Sequence, residues 1–170
     1  SMGLEVGKAP EMWNLEHPEK IKELHLSYYE SGSDIVATNT FGVNANKYAN
    51  YSEYIKSAIS IAKSARDEYV SRHGGEKYVA FDIGPSGRML APLGDLDFED
   101  AVSVFAETVK LGVKYGVDLI LILSGVGLEL QLVGGRAVVD VELTVLEGDL
   151  VRLQPGVIQR DIHSLLQGDI

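Results

Sequence analysis

The chain contains no cysteine. Disulfides, thiol nucleophiles and thiolate metal sites are therefore excluded together. Basic residues are scarce, with 15 Lys and Arg against 25 Asp and Glu, a formal net charge of −10 and a pI near 4.8. Binding a phosphate backbone requires clustered Lys and Arg, so no nucleic-acid partner is expected. Long apolar runs are also missing: none approaches the ~20 residues that a membrane-spanning helix needs. The opening Ser-Met-Gly-Leu-Glu-Val lacks the basic and apolar regions of a signal peptide, and Ser1 ahead of Met2 reads as a cloning remnant. The expectation is a cytoplasmic protein with no membrane partner.

What is present is enough to bury a core. The length of 170 residues allows one domain, or one domain with a small appendage. It is short of the ~250 residues typical of a complete eight-fold barrel. The organising stretch is 33–42, Ser-Asp-Ile-Val-Ala-Thr-Asn-Thr-Phe-Gly, where an apolar, β-branched run gives way to Thr38, Asn39 and Thr40. A strand covered on both faces has that character, and in parallel α/β proteins ligand sites form at the carboxyl ends of strands. Three adjacent polar, uncharged side chains suit hydrogen bonding to a small ligand, and they equally suit a plain strand-end cap.

Around this stretch the pattern alternates. Residues 3–16 show no period and read as a loop anchored by Trp13. Pro18 opens a helix with Ile21, Leu24 and Tyr28 on its apolar face, ended by Gly32. The strand 34–40 and an Asn-rich loop follow. The longest helix comes next, with Ile55, Ala58, Ile59, Ala62, Ala65 and Tyr69 on one face and Gly74-Gly75 at its end. A second strand, Tyr78 to Ile83, runs into Gly84-Pro85-Ser86-Gly87, read as a turn because no dinucleotide or P-loop glycine pattern accompanies it. Asp97 and Asp100 mark the start of a third helix with Phe98, Val102, Phe105, Val109 and Val113 on its face and Gly116 at its end. Asp95, Asp97, Glu99 and Asp100 together could attract a cation, yet such residues more often cap and solvate a helix start. A third strand spans 117–122. Helix and strand in strict alternation predict a parallel sheet with crossover helices.

Beyond Ile122 the composition changes: every Lys, Asn, Tyr, Phe and Trp precedes Gly116. A boundary is placed there, giving a first unit of 1–122 and a tail of 123–170. The tail predicts a β-hairpin from Gly127 to Val133 and Arg136 to Leu143 about Gly134-Gly135, another strand within 145–153, and a short helix or strand from Val157 to Leu166.

The first unit resembles the homocysteine S-methyltransferase family, the barrel domain of cobalamin-dependent methionine synthases and betaine-type methyltransferases. The matching stretches are Trp13-Asn14-Leu15 with His17-Pro18, Glu30 to Ile35 running into Thr38-Asn39-Thr40-Phe41-Gly42, Asp82-Ile83-Gly84-Pro85-Ser86-Gly87, Pro92-Leu93-Gly94-Asp95, and Gly116 to Ile122. The resemblance implies a partial (β/α)8 TIM-barrel fragment, followed by a β-rich C-terminal segment. It further implies homocysteine as substrate, held at the strand ends and activated as a zinc thiolate, with Asn14, Thr38, Asn39, Thr40 and Asp82 on the substrate face.

Departures accompany the match. The family's opening strand, with its Asp-Gly-Ala-Met-Gly pattern, has no counterpart, and Leu123 stands where the family has a Glu for the substrate ammonium. The zinc cysteines are missing, and His17, His25, His73 and His163 are too scattered to replace them. No catalytic residue, metal ligand or cofactor is therefore expected in this chain, although the family uses zinc with a cobalamin or betaine-type methyl donor. The expectation is a truncated or chimeric, inactive methyltransferase domain. The alternative is a binding or assembly module whose tail drives homo-oligomerisation. That tail, from Leu128-Glu129-Leu130 to Gly148-Asp149 and Pro155-Gly156, resembles the small β-domains of flagellar and secretion switch proteins, in letters that any Gly-Asp hairpin also produces.

Overall fold

The computed structural model describes residues 4, 5, 7–124, 127–129 and 138–139. A 3-10 turn, Pro10–Met12, leads into α1 (Trp13–Glu16), α2 (Pro18–Glu30), β1 (Ile35–Ala37), α3 (Tyr51–His73), β2 (Tyr78–Ile83), α4 (Phe98–Tyr115) and β3 (Leu119–Ser124). The short strands β4 (Gly127–Glu129) and β5 (Val138–Val139) follow. The stretch expected to be loop before His17 thus carries two helical turns. Trp13 anchors them as foreseen, buried against Ile21 and Ile61 with the Lys20 ammonium 4.5 Å from its ring centroid.

β1, β2 and β3 are parallel, with Val36 opposite Val79 and Phe81 opposite Ile120. Helices between parallel strands make this a mixed α/β fold. β1 is shorter than the 34–40 expected. The Thr38 N–H still donates to the Ala80 carbonyl at 2.8 Å, after which the backbone turns and the Thr40 N–H bonds back to the Thr38 carbonyl. β3 starts two residues later than expected and runs on to Ser124. Its approach is fixed by Asp118, whose carboxylate accepts from the Val79 N–H and the Arg66 guanidinium.

Of the expected hairpin, the turn at Gly134-Gly135 lies outside the described residues. The pieces inside them both pair with β3, Gly127–Glu129 antiparallel and Val138–Val139 parallel. The expected elements within 145–153 and 157–166, and the likeness to switch-protein β-domains, also lie outside the described residues.

Strand alternation sorts the core into two faces. Val79, Phe81 and Ile83 of β2 point toward the helices, where Phe81, Ile83 and Ile120 pack on Ile55 and Ile59 of α3. Val36 and Val79 pack on Ala62 and Ala65. On the other face Ala80 and Leu119 form a smaller cluster with Ile35, Tyr78 and Leu121.

Two helix faces differ from expectation. α2 buries Ile21, His25 and Tyr29, not Leu24 and Tyr28. Tyr28 is 52% exposed, whereas Tyr29 is fully buried and its hydroxyl donates to the Tyr78 carbonyl at 2.8 Å. α4 buries Ala101, Thr108 and Gly112, while Phe98, Val102 and Val113 of the expected stripe are exposed. Small residues bring the helix axis close to the sheet, so the large side chains flank the contact, with Phe105 and Val109 half-buried at its margin.

Candidate functional site

The polar patch after β1 lies at the carboxyl end of the parallel strands, beside the end of β2. Thr38 and Thr40 are both buried, with their hydroxyl oxygens 2.7 Å apart. The Thr40 hydroxyl donates to the Asp82 carbonyl at 2.6 Å, and the Asp82 N–H donates to Thr38 Oγ1 at 3.0 Å. Since the Thr40 proton is committed to Asp82, the Thr38 hydroxyl must donate to Thr40. Both hydroxyl protons are then in use, and the pair staples the turn after β1 to β2.

Asn14 and Asn39 form a second clip. The Asn14 amide donates to the Asn39 carbonyl at 2.7 Å, and the Asn39 amide donates to Asn14 Oδ1 at 3.1 Å and to the Pro10 carbonyl at 2.9 Å. Ser57 of α3 donates to the Asn14 carbonyl at 2.6 Å, tying α1 to the long helix. The structure therefore brings together all five residues singled out from the sequence, as two clips and one free group.

That group is Asp82. By alternation its side chain lies on the Ala80 and Leu121 side of the sheet, away from α3 and α4. Its Oδ1 is shielded from solvent and has no hydrogen-bond partner, and burial pushes the carboxyl up to about 6. A buried, unpaired carboxylate oxygen is costly unless a ligand's donor meets it.

Sequence reasoning missed the neighbouring cleft. A cavity of about 660 Å³ opens between the loops that follow β1 and β2, lined by Pro10, Glu11, Phe41, Lys47, Ser86 and Arg88 among others. Glu11 is buried at its edge, where Lys47 Nζ donates to Oε1 at 3.0 Å and the Tyr48 hydroxyl at 3.1 Å. Burial alone would raise the Glu11 carboxyl; a backbone hydrogen bond, Lys47 and Tyr48 outweigh it and hold the carboxyl below its ordinary value. Glycine at 42 leaves room for this pair, since a Cβ would stand 2.1 Å from Glu11 Oε1 and 2.7 Å from Lys47 Nζ and would displace these side-chain ends. Glu11 fell in a stretch without periodicity, so Gly42 after the polar patch was the one available signal.

A profile of the family described as Homocysteine S-methyltransferase matches residues 2–124. The methionine synthase of Mycobacterium tuberculosis (strain ATCC 25618 / H37Rv) is 29% identical over 118 residues, covering 66% of this chain and 10% of that protein. That of Mycobacterium leprae (strain TN) is 27% identical over 118 residues, with the same coverage. Among solved structures, the metallated form of the Escherichia coli homocysteine methyltransferase MmuM aligns with a TM-score of 0.62 at 21% identity, over 71% of this chain and 48% of that one. Its apo form aligns at 0.55 and 25% identity, over 67% and 42%. The chain spans about a tenth of the length of these methionine synthases and about half of the solved structures. The structural likeness supports a shared parallel α/β fold.

Proposed function

Given that the chain belongs to the homocysteine S-methyltransferase family, we propose that residues 1–122 are a partial (β/α)8 barrel that retains a weak homocysteine-binding rim and does not itself transfer methyl groups. Residues 123–170 are a β-rich tail of different origin in this reading, added to the sheet at β3. The observation that carries it is Asp82 Oδ1, a shielded and unpartnered acceptor at the strand end inside the family match. It suits the ammonium group of an amino acid. Asn14, Thr38, Asn39 and Thr40 act by positioning, since their clips fix the turn beside Asp82.

Zinc, which the family implies, does not fit the residues present. The chain has no Cys, and among the described residues no group of three or more His, Asp and Glu could hold a metal ion. At the strand end there is one carboxylate among hydroxyls and amides already engaged with one another, a poor donor set for a thiophilic cation. No step is derived through a metal.

Titration of the purified chain with homocysteine tests the reading. Without a metal–thiolate bond, affinity in the millimolar range is expected, falling at least tenfold in Asp82→Asn, with no methylation by cobalamin, betaine or sulfonium donors. Micromolar binding, equal binding by the variant, or turnover above background would overturn it.

A further inference from the structure

The cleft beside the rim is built rather than incidental. Asn44, buried beneath it, donates to the Pro85 carbonyl at 3.4 Å and accepts from the Asn46 N–H at 3.0 Å, so it joins the two loops across the gap. On the β2 side the Ser86 hydroxyl donates to the Arg88 carbonyl at 2.9 Å and accepts from the Arg88 N–H at 3.2 Å, fixing the backbone from which the guanidinium extends. On the β1 side the buried Glu11 carboxylate sets the position of Lys47, and glycine at 42 leaves the space for that pair.

The charges in the lining are Glu11, Lys47 and Arg88, a net excess of one positive in a chain whose formal charge is −10. Lys47 gives one of its three N–H donors to Glu11 and is otherwise half exposed. Arg88 engages Asp95 through Nε and Nη2, and Nη1 takes no part in those contacts. Both cations thus retain donors, while Phe41, Pro10 and Pro85 supply apolar wall.

We infer that this cleft binds a small oxyanion, carboxylate or phosphate, carried on an apolar or aromatic body, with Lys47 and Arg88 receiving the charge and Phe41 and the two prolines the body. Of the five rim residues Asn39 alone lines the cleft, through a side chain already engaged with Asn14 and Pro10, and the inference draws on neither it nor Asp82, so it does not rest on the homocysteine reading and either can fail alone.

The test is a ligand-observed NMR titration of the full chain at low salt with benzoate, phenyl phosphate and neutral benzyl alcohol. One saturable site is expected for at least one of the anions, with benzyl alcohol at least about tenfold weaker. The better of the two anions identifies the class of headgroup. Arg88→Gln is the decisive variant because Arg88 pairs with an exposed Asp95 at the surface and its loss leaves no buried charge. It should weaken the anion about tenfold with an unchanged thermal melt. Absence of a saturable site, equal binding of benzyl alcohol, or unchanged affinity in Arg88→Gln would overturn the inference.

Discussion

Gly112 of α4 lies directly on the ring of Phe81 in β2: a Cβ at position 112 would stand 2.5 Å from Phe81 Cδ1 and 3.0 Å from Cε1. Phe81 is fully buried between this glycine and α3, so the ring has nowhere to retreat. Helix propensity alone makes Gly112→Ala stabilising by about 1 kcal/mol. The contact reverses the sign, because overpacking a core costs roughly 1–3 kcal/mol. Urea denaturation of Gly112→Ala should show a net loss of about 1 kcal/mol or more, and a gain would show that α4 does not pack on the sheet this closely.

The threonine staple behaves as a unit. Thr38→Val removes the acceptor for the Asp82 N–H, and Thr40→Val strands the Asp82 carbonyl. Each should lose about 1–3 kcal/mol, the penalty of leaving a buried polar group unpaired. Because Thr38 also donates to Thr40, the double variant should lose less than the sum by at least ~0.5 kcal/mol. Strict additivity in a double-mutant cycle would contradict the shared proton chain.

Two groups, the buried His25 and the partly buried Asp82, act on stability with opposite signs. Burial raises Asp82 from 3.8 to about 6, so its contribution is fully present below pH 3.8 and is lost as pH rises through about 6. Burial lowers His25 from 6.5 to about 4, so its contribution is present above pH 6.5 and is lost as pH falls through about 4. Relative to the parent chain, Asp82→Asn should be more favourable at pH 7 than at pH 4, and His25→Leu more favourable at pH 4 than at pH 7. Each differential is on the order of 1–3 kcal/mol. Denaturant midpoints at the two pH values measure both, and a pH-independent effect of either substitution would refute its burial as an ionisable group.

Association is the expected consequence of what the surface leaves uncovered. Leu93 and Phe98 are 81% and 66% exposed, with Met89 and Val102 exposed nearby. Among the described residues β1 pairs only with β2, leaving its other edge open. Exposed apolar area and free strand edges recruit other chains. Light scattering across a dilution series should give a mass above 18.5 kDa at high concentration, and a strict monomer throughout would reject a homo-oligomer.

The alternation of helices and parallel strands was legible from residue order alone. Hydrophobic period and terminal residues are local properties: β2 runs from Tyr78 to Ile83 as read, α3 buries Ile55, Ala58, Ile59, Ala62 and Ala65, and Gly116 ends α4 in a left-handed conformation. Thr38, Asn39 and Thr40 were legible because polar residues after an apolar run mark the carboxyl end of a strand, whereas Asn14, on α1, and Asp82 were singled out through the family resemblance. Tertiary structure decided which atoms remain available. Periodicity ranks residues by polarity, so it passed over His25, buried at low charge, and chose Tyr28 over Tyr29, whose hydroxyl finds a carbonyl across the core. On α4 it selected the large apolar stripe, although close packing on Phe81 demanded the small one. The hydroxyls of Thr38 and Thr40 are donors in any sequence; only the fold commits their protons to each other and to the Asp82 backbone carbonyl, while the buried Asp82 Oδ1 has no hydrogen-bond partner. The cleft of Glu11, Lys47 and Arg88 had no signature beyond Gly42, because it joins residues 36 and more positions apart through loops whose path no local pattern encodes.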